Sequence, residues 1–147
     1  MSNVTKRQYI KTTSKLCNLC GRCALVCSRQ NTGAMDTSKS AVVVEHDLPN
    51  SFKIKLRNCN QCPQEYCVKV CPTGALYRHE TGYVALDRAK CNSCDGEFRC
   101  VEACKARLIF RHADCEYPLK CTLCDGDPAC VKECISDALK LAESERV

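Results

Sequence analysis

The stretch Cys121-Thr-Leu-Cys124-Asp-Gly-Asp-Pro-Ala-Cys130-Val-Lys-Glu-Cys134 places four cysteines at the spacing C-x2-C-x5-C-x3-C. Residues 91–104 repeat that spacing, and two tighter versions lie upstream. Residues 59–71 have C-x2-C-x4-C-x3-C, and residues 17–27 have C-x2-C-x2-C-x3-C. Four quartets in one chain indicate duplicated small units that stack together, since none is large enough to bury a core alone.

The four quartets account for sixteen of the 17 cysteines in the 147 residues. They are Cys17, Cys20, Cys23 and Cys27; Cys59, Cys62, Cys67 and Cys71; Cys91, Cys94, Cys100 and Cys104; and Cys121, Cys124, Cys130 and Cys134. The chain has no Trp, three Phe and five Tyr. Because little apolar material remains once cysteine is set aside, something other than aliphatic packing must supply much of the stability.

The remaining sequence predicts sparse secondary structure in an α+β fold. One-turn helices are expected at 65–70 and 129–133, between the third and fourth cysteines of their quartets. Hairpins are expected from 76–77 with 84–86, and from 42–45 with 52–56. Residues 28–41 are polar and are expected to form a loop, and residues 143–147 carry no chemical signal.

Three kinds of protein are this rich in cysteine: disulfide scaffolds, zinc proteins and iron–sulfur proteins. The N-terminus has no apolar signal region, Lys6-Arg7 is not a twin-arginine signal, and no apolar run approaches a membrane span. We therefore expect a cytoplasmic protein without membrane insertion, where thiols stay reduced and disulfides are disfavoured. Zinc sites usually pair two C-x2-C knuckles across a gap of about 12–20 residues, a wider spacing than these quartets have.

The compressed quartets favour cubane clusters. A [4Fe–4S] cluster needs one thiolate at each of four irons, and three closely spaced cysteines wrap a tight loop around three of them. The fourth cysteine, three residues on, leads away from that loop and ligates the neighbouring cluster in the two-cluster ferredoxin run. The proline that usually follows occurs only after Cys71. We expect four [4Fe–4S] clusters.

Residues outside the quartets give weaker signals. His46, His79 and His112 are expected to be exposed or packed and not to be ligands, and Cys115 is expected to be a small buried hydrophobe. Asp125-Gly126-Asp127-Pro128 is expected to be a solvated turn, with docking as the alternative. No nucleophile–base pair or phosphate loop is present, so the chain is not expected to be an enzyme by itself.

The formal charge of +5 is uneven, with +7 in residues 1–58 and −2 in residues 59–147. Each cubane with its thiolates adds about −2, so the basic N-terminal part offsets cluster charge, or alternatively steers a partner. Nucleic acid is not an expected partner, because the basic residues are dispersed and stacking aromatics are scarce.

Four such quartets resemble the four-cluster ferredoxin-type electron-transfer subunits of molybdenum and tungsten oxidoreductases, formate dehydrogenases, hydrogenases and carbon monoxide dehydrogenase systems. The resemblance covers roughly residues 14–140, and Cys121–Cys130 looks most like the small subunit beside tungsten aldehyde oxidoreductases. It implies two ferredoxin-like dicluster halves, one inserted in the other and both stapled by clusters. The first half would comprise about 14–30 plus 115–140 and the inserted half about 52–112, leaving 1–13 as an N-terminal segment and 141–147 as a tail.

The resemblance also implies how the ligands are shared, since the first quartet exchanges its last cysteine with the fourth quartet, and the second with the third. The implied sets are Cys17, Cys20, Cys23 and Cys134; Cys121, Cys124, Cys130 and Cys27; Cys59, Cys62, Cys67 and Cys104; and Cys91, Cys94, Cys100 and Cys71.

The function implied by the resemblance is one-electron relay in a hetero-oligomer. A catalytic subunit of the tungsten or molybdenum type, acting in anaerobic metabolism, and a further electron-transfer protein would be the partners. The alternatives are a free polyferredoxin with several clients, or a wiring subunit of a hydrogenase, formate dehydrogenase or carbon monoxide dehydrogenase. A zinc-stapled interaction domain is the third hypothesis.

Overall fold

The structure is a computed structural model that describes residues 6–145. Its elements are short, and single 3₁₀ turns lie at Ser14–Leu16, Thr37–Lys39 and Ser93–Gly96. The strands and helices, in chain order, are β1 (Lys6–Thr12), α1 (Arg22–Thr32), β2 (Val43–His46), β3 (Ile54–Arg57), α2 (Tyr66–Val70), β4 (Leu76–Arg78), β5 (Val84–Leu86), α3 (Arg99–Ala103), α4 (Leu123–Gly126), α5 (Ala129–Glu133) and β6 (Leu139–Glu145).

The strands of this part of the chain form three separate two-stranded antiparallel sheets. Pairing of β2 with β3 and of β4 with β5 confirms both predicted hairpins, with bounds shifted by one or two residues. The third sheet joins β1 to β6, in a register that runs from Lys6 opposite Glu145 to Thr12 opposite Leu139. The sequence carries no local signal for this sheet, because no turn sequence links β1 to β6.

Both predicted one-turn helices are confirmed, as α2 and α5. The loop expected at residues 28–41 is wrong in its first part, because α1 continues to Thr32. The side chains of Asn31 and Thr32 each donate to a carbonyl one turn back, at 2.9 and 2.8 Å. Gly33 ends the helix in the left-handed conformation, with φ of +79°. Polar residues therefore support this helix by bonding to its own backbone.

Cysteine occupies much of the buried interior of residues 6–145. The smaller packed cluster consists of Leu76, Val84 and Ile109 together with Cys67 and Cys100. The larger cluster combines further cysteines with apolar residues that include Ile10, Ala41, Val42, Leu56, Tyr83, Leu108, Leu123, Ala138 and Leu139. The small amount of aliphatic packing agrees with the composition.

Two helix pairs bring the quartets together. Helix α1, from the first quartet, packs against α5, from the fourth, and an ion pair between Arg22 and Glu133 joins them at 2.9 Å. Helix α2, from the second quartet, packs against α3, from the third. Packing thus pairs the quartets in the combinations 1 with 4 and 2 with 3.

The turn between β4 and β5 lies against β1. The amide of Gln8 donates to the carbonyl of Gly82 at 3.2 Å, and a Cβ at Gly82 would lie 2.6 Å from the carbonyl oxygen of Lys6. Gly82 also has a φ of +112°, which L side chains rarely adopt. The absence of a side chain at position 82 lets the two sheets approach each other.

We expect Gly82→Ala to lower the thermal midpoint of the cluster-loaded protein. Overpacking costs about 1–3 kcal/mol, which corresponds to a drop of at least about 3 °C beyond a control variant. The matched control is Gly96→Ala, since Gly96 also has a positive φ, of +94°, but no atom within 4 Å of the added Cβ. Equal midpoints for the two variants would contradict the close approach of the turn to β1.

Candidate metal centres

All four C-x2-C loops share one backbone feature. The residue directly before the second cysteine has a positive φ in every loop: 61° at Leu19, 52° at Gln61, 56° at Ser93 and 53° at Leu123. A left-handed conformation costs a residue other than glycine roughly 1–2 kcal/mol, so it persists where the surrounding loop requires it. Such turns direct successive backbone N–H groups into a concave anion-binding nest, as found at many iron–sulfur sites.

The first cavity is lined by Cys71, Cys91, Cys94 and Cys100. Leu76, Leu86, Phe98 and Pro118 contribute apolar walls. Burial raises the pKa of the Cys100 thiol to about 12, and the charges of Cys67, Cys94 and Cys91 add to the shift. Three cysteines of the third quartet therefore share a site with the last cysteine of the second.

A second cavity is lined by Cys27, Cys121, Cys124 and Cys130. Burial raises the pKa of Cys121 to about 12. Burial also raises the pKa of Cys130, and the charges of Cys121, Cys27 and Cys124 add to that shift. This site combines three cysteines of the fourth quartet with the last cysteine of the first.

A third cavity has Cys59, Cys62, Cys67 and Cys104 in its lining. Burial raises the pKa of Cys67 to about 11; the charge of Lys120 opposes that shift, and the charges of Cys59, Cys62 and Cys104 add to it. The second quartet thus gathers with the last cysteine of the third.

The remaining four cysteines interact with one another electrostatically. Burial raises the pKa of Cys23 to about 11, partly offset by the Ala24 amide, and the charges of Cys17, Cys20 and Cys134 raise it further. The charges that act on Cys23 thus come from two cysteines of its own quartet and from Cys134, so that the first and fourth quartets are neighbours here as well. Cys20 is exposed, whereas Cys23 is buried.

The last cysteine of each quartet receives hydrogen bonds that favour its thiolate. The amides of Ala41 and Leu108 lie 3.3 Å from the sulfurs of Cys27 and Cys104, respectively. Burial acts to raise the pKa of Cys71 and of Cys134, but nearby backbone amides, with the hydroxyls of Thr73 and Ser136, lower both pKa values. Donors to the charged form prepare these four sulfurs for metal ligation.

Neighbouring sites are in electrostatic contact. Cys23 contributes to the raised pKa of Cys130, which joins the Cys17 site to the Cys27 site. Cys59 contributes to that of Cys121, and Cys67 to that of Cys100, which joins the later sites. These interactions join the site of Cys17 to that of Cys121, that of Cys121 to that of Cys59, and that of Cys59 to that of Cys91.

Four polar residues are buried beside these sites and were missed by the sequence analysis. They are Asn58, Gln61, Arg78 and Lys120. Arg78 and Lys120 resemble solvent-exposed charges in the sequence, and nothing local distinguishes them. Lys120 directly precedes Cys121, but Lys90 precedes Cys91 in the same way and is exposed.

Arg78 holds the loop of the second quartet. Its guanidinium donates to the Glu65 carboxylate at 2.8 Å and to the carbonyls of Gln61 and Cys62 at 3.0 and 2.6 Å. It also donates to the carbonyl of Gly82 at 2.9 Å, which ties the β4–β5 turn to the same loop. A planar fork of donors suits this convergence of acceptors.

The histidines lie outside the cysteine sites, as expected. His46 is exposed, His79 stacks on Tyr83 with ring centroids 4.6 Å apart, and His112 lies 3.3 Å from the hydroxyl of Ser38. The expectation of a buried Cys115 is wrong, because that thiol is half-buried. Its amide donates to the His112 carbonyl in a turn that reaches the surface.

The donor sets fit clusters. Each of the three cavities has four cysteines in its lining, and soft thiolates are the ligands that iron–sulfur clusters use. Within residues 6–145, no three His, Cys, Asp or Glu side chains are gathered as a single bound ion would require. None of the helices in that range is long and apolar enough to cross a membrane.

Short hairpins and helices around four sets of thiols define a ferredoxin-like iron–sulfur electron-transfer protein. The chain belongs to the 4Fe-4S dicluster domain family, since two models with that description match residues 50–144 and 16–75. Two dicluster domains correspond to four [4Fe–4S] clusters, as expected from the quartets.

Curated relatives include subunits of oxidoreductases. The chain is 32% identical over 109 residues to the thiosulfate reductase electron transfer subunit PhsB of Salmonella typhi, covering 71% of this chain and 55% of the relative. It is 34% identical over 106 residues to the polyferredoxin-like subunit of aliphatic sulfonate oxidoreductase from Pyrococcus furiosus, covering 71% and 58%. The chain thus spans little more than half the length of these relatives.

A solved structure has the same fold. The match is to a chain of the active site complex BamBC of benzoyl coenzyme A reductase bound to benzoyl-CoA, with a TM-score of 0.55 and 25% identity. It covers 95% of this chain and 83% of the other. The match therefore extends over nearly the whole of this chain and most of the other.

We expect Arg78→Met to disrupt selectively the site of Cys59, Cys62, Cys67 and Cys104. Removing one partner of a buried ion pair costs about 3–5 kcal/mol and leaves the loop carbonyls without donors. Iron analysis should fall from about sixteen to about twelve per chain, because four cubanes contain about sixteen irons. The control is Arg99→Met, which removes an exposed pair with Glu97 in the next quartet; similar iron loss in both variants would contradict this role.

Proposed function

We propose that this chain relays electrons one at a time as the wiring subunit of a multi-subunit oxidoreductase. A [4Fe–4S] cluster takes up and releases a single electron. The observation that carries the proposal is that the four cysteine sites adjoin one another. Helix α1 packs on α5 and α2 packs on α3, and hydrogen bonds of Lys120 and Asn58 join the sites of Cys59 and Cys121. A row of one-electron sites suits conduction between two partners.

We propose that each cluster is held by three cysteines of one quartet and the last cysteine of another. The four sets are Cys17, Cys20, Cys23 and Cys134; Cys121, Cys124, Cys130 and Cys27; Cys59, Cys62, Cys67 and Cys104; and Cys91, Cys94, Cys100 and Cys71. The cysteine-lined cavities and the interactions around Cys23 support these sets. The corresponding domain division, with an inserted half at about 52–112, is supported by the packing of α1 on α5 and of α2 on α3.

The two ends of the row are the proposed points of electron entry and exit. At one end Cys20 is exposed, and the sequence neighbours Leu16 and Ile135 of its site are 49% and 63% exposed. At the other end Cys71, Cys91 and Cys94 are half-buried. The two middle sites each contain two or three buried cysteines, so partners would reach the row at its ends.

We propose a catalytic redox subunit at one end and a further electron-transfer protein at the other, in the cytoplasm. The electron-transfer subunits among the relatives support a catalytic partner. A tungsten or molybdenum partner of the aldehyde oxidoreductase type follows from the resemblance at Cys121–Cys130. Metal analysis of the native complex tests the kind of partner, and we expect tungsten or molybdenum to accompany the iron. A sizing column tests whether a stable partner exists, because a lone chain near 16.4 kDa would indicate a free polyferredoxin.

Paired cysteine substitutions test the shared ligand sets. We expect Cys134→Ser to alter the same cluster signal in electron paramagnetic resonance spectra as Cys20→Ser, although the two lie in different quartets. Cys124→Ser, from the same quartet as Cys134, should alter a different signal. The control is Cys115→Ser, which should leave four intact clusters; a shared signal for Cys134 and Cys124 would overturn the exchange of ligands.

Cluster removal tests the source of stability. Because thiol sites occupy much of the interior, we expect iron chelation to unfold the chain, as measured by loss of its far-ultraviolet circular dichroism. Anaerobic return of iron and sulfide should restore the native spectrum. A metal-free chain that keeps its folded spectrum would contradict the dependence of the fold on its clusters.

A further inference from the structure

Lys120 is a fully buried lysine, with 2% of its surface exposed. Its ammonium donates to the carbonyl of Cys121 at 2.8 Å, and to the carbonyl of Val84 and the side-chain oxygen of Gln61 at 3.2 Å. It also lies 3.6 Å from the sulfur of Cys59. Lysine is almost never buried without compensation, so this position requires a physical reason.

The ammonium lies between the two middle sites of the row. Lys120 lines the cavity of Cys59, Cys62, Cys67 and Cys104. Its hydrogen bond to the Cys121 carbonyl reaches the backbone of the adjoining site, whose cavity is lined by Cys121. A single positive charge is therefore shared by two neighbouring thiol sites.

Two buried amides complete this junction. Gln61, which is fully buried, donates to the Cys121 carbonyl at 2.9 Å and accepts from both Lys120 and the Val84 amide. Asn58 donates to the sulfur of Cys121 at 3.4 Å. The hydrogen bonds hold the lysine in one place, so its charge acts from a fixed position.

The hydrogen-bonded oxygens around the ammonium belong to neutral amide groups, and no carboxylate contacts it among the described residues. The compensating negative charge is then that of the thiolates and the clusters they bind. Each reduction adds one more negative charge beside the ammonium. In a medium of low dielectric constant, a fixed positive charge favours the reduced state and raises the reduction potential.

We propose that Lys120 is a positioning residue that raises the reduction potentials of the two middle sites, those of Cys59 and Cys121, relative to the two end sites. The inference rests on the proposed function. Lys120 would then stabilise an added electron on the two middle sites of the row. Lys120 would thus retain electrons within the protein until a partner docks.

The test is a potentiometric titration of the full-length, cluster-loaded chain, followed by electron paramagnetic resonance. We expect Lys120→Met to shift the reduction equilibrium of two clusters by about tenfold or more toward the oxidised state, or about 59 mV for one electron. The other two clusters should shift much less. The cysteine substitutions described above assign the signals to the sites.

Lys90→Met is the matched control, because Lys90 directly precedes Cys91 as Lys120 precedes Cys121. Its side chain is 62% exposed and pairs with Asp87 at 3.9 Å, so we expect all four potentials to stay unchanged. Lys120→Arg, which keeps the charge, should retain potentials closer to those of the original protein. If Lys120→Met does not load four clusters, Lys120→Gln is measured by the same criterion.

Unchanged potentials in the neutral variants, or equal shifts in all four clusters, would overturn the proposal. An equal shift from Lys90→Met would overturn it as well. A failure of the proposed function would be seen in a different experiment. If the chain migrates alone on the sizing column, the wiring function is rejected, but the shift of the two middle clusters in Lys120→Met can still be measured. A selective shift in a lone chain would therefore support Lys120 and reject the wiring subunit.

Discussion

The interaction on which the rest of the structure depends is the ligation of iron by thiolates. Cysteine side chains occupy interior positions that leucine and isoleucine occupy in most domains of this size. The hairpins and single-turn helices surround these cysteines. The backbone also reflects the need to surround a cluster. In each quartet the residue before the second cysteine has a positive φ, an unfavourable conformation that lets the loop close around its site. A strained loop conformation of this kind persists when metal ligation and packing together hold the loop in place.

Charge is the second constraint, and it follows from the first. Four clusters with their thiolates concentrate negative charge inside a small fold, and burial alone makes the thiolates unfavourable, as the raised pKa values of Cys23, Cys67, Cys100 and Cys121 show. Two features offset this buried negative charge: backbone amides near the last cysteine of each quartet, and the buried ammonium of Lys120. The basic N-terminal part of the sequence acts in the same direction at longer range.

The order of the sites follows from topology. Pairing β1 with β6 and packing α1 on α5 bring the first and fourth quartets together, while the β4–β5 hairpin and the α2–α3 contact join the second and third. Hydrogen bonds of Asn58 and Lys120 then connect the two pairs. A row of four sites therefore results from bringing distant parts of the chain together. Gly82 lets the β4–β5 turn of one pair lie against strand β1 of the other, and Arg78 ties that turn to the loop of the second quartet.

The cysteine quartets, the clusters, both local hairpins and helices α2 and α5 could be predicted from the sequence alone, because spacing, turn residues and short-range periodicity are local properties. The resemblance to a family supplied the proposed exchange of cysteines between quartets. Tertiary structure alone decided the β1–β6 sheet, whose strands have no local signal for pairing, and the extension of α1 to Thr32. It also decided that Lys120 is buried while Lys90 is exposed, although both precede the first cysteine of a quartet. Burial is a property of what packs around a side chain, and residues distant in sequence provide that packing.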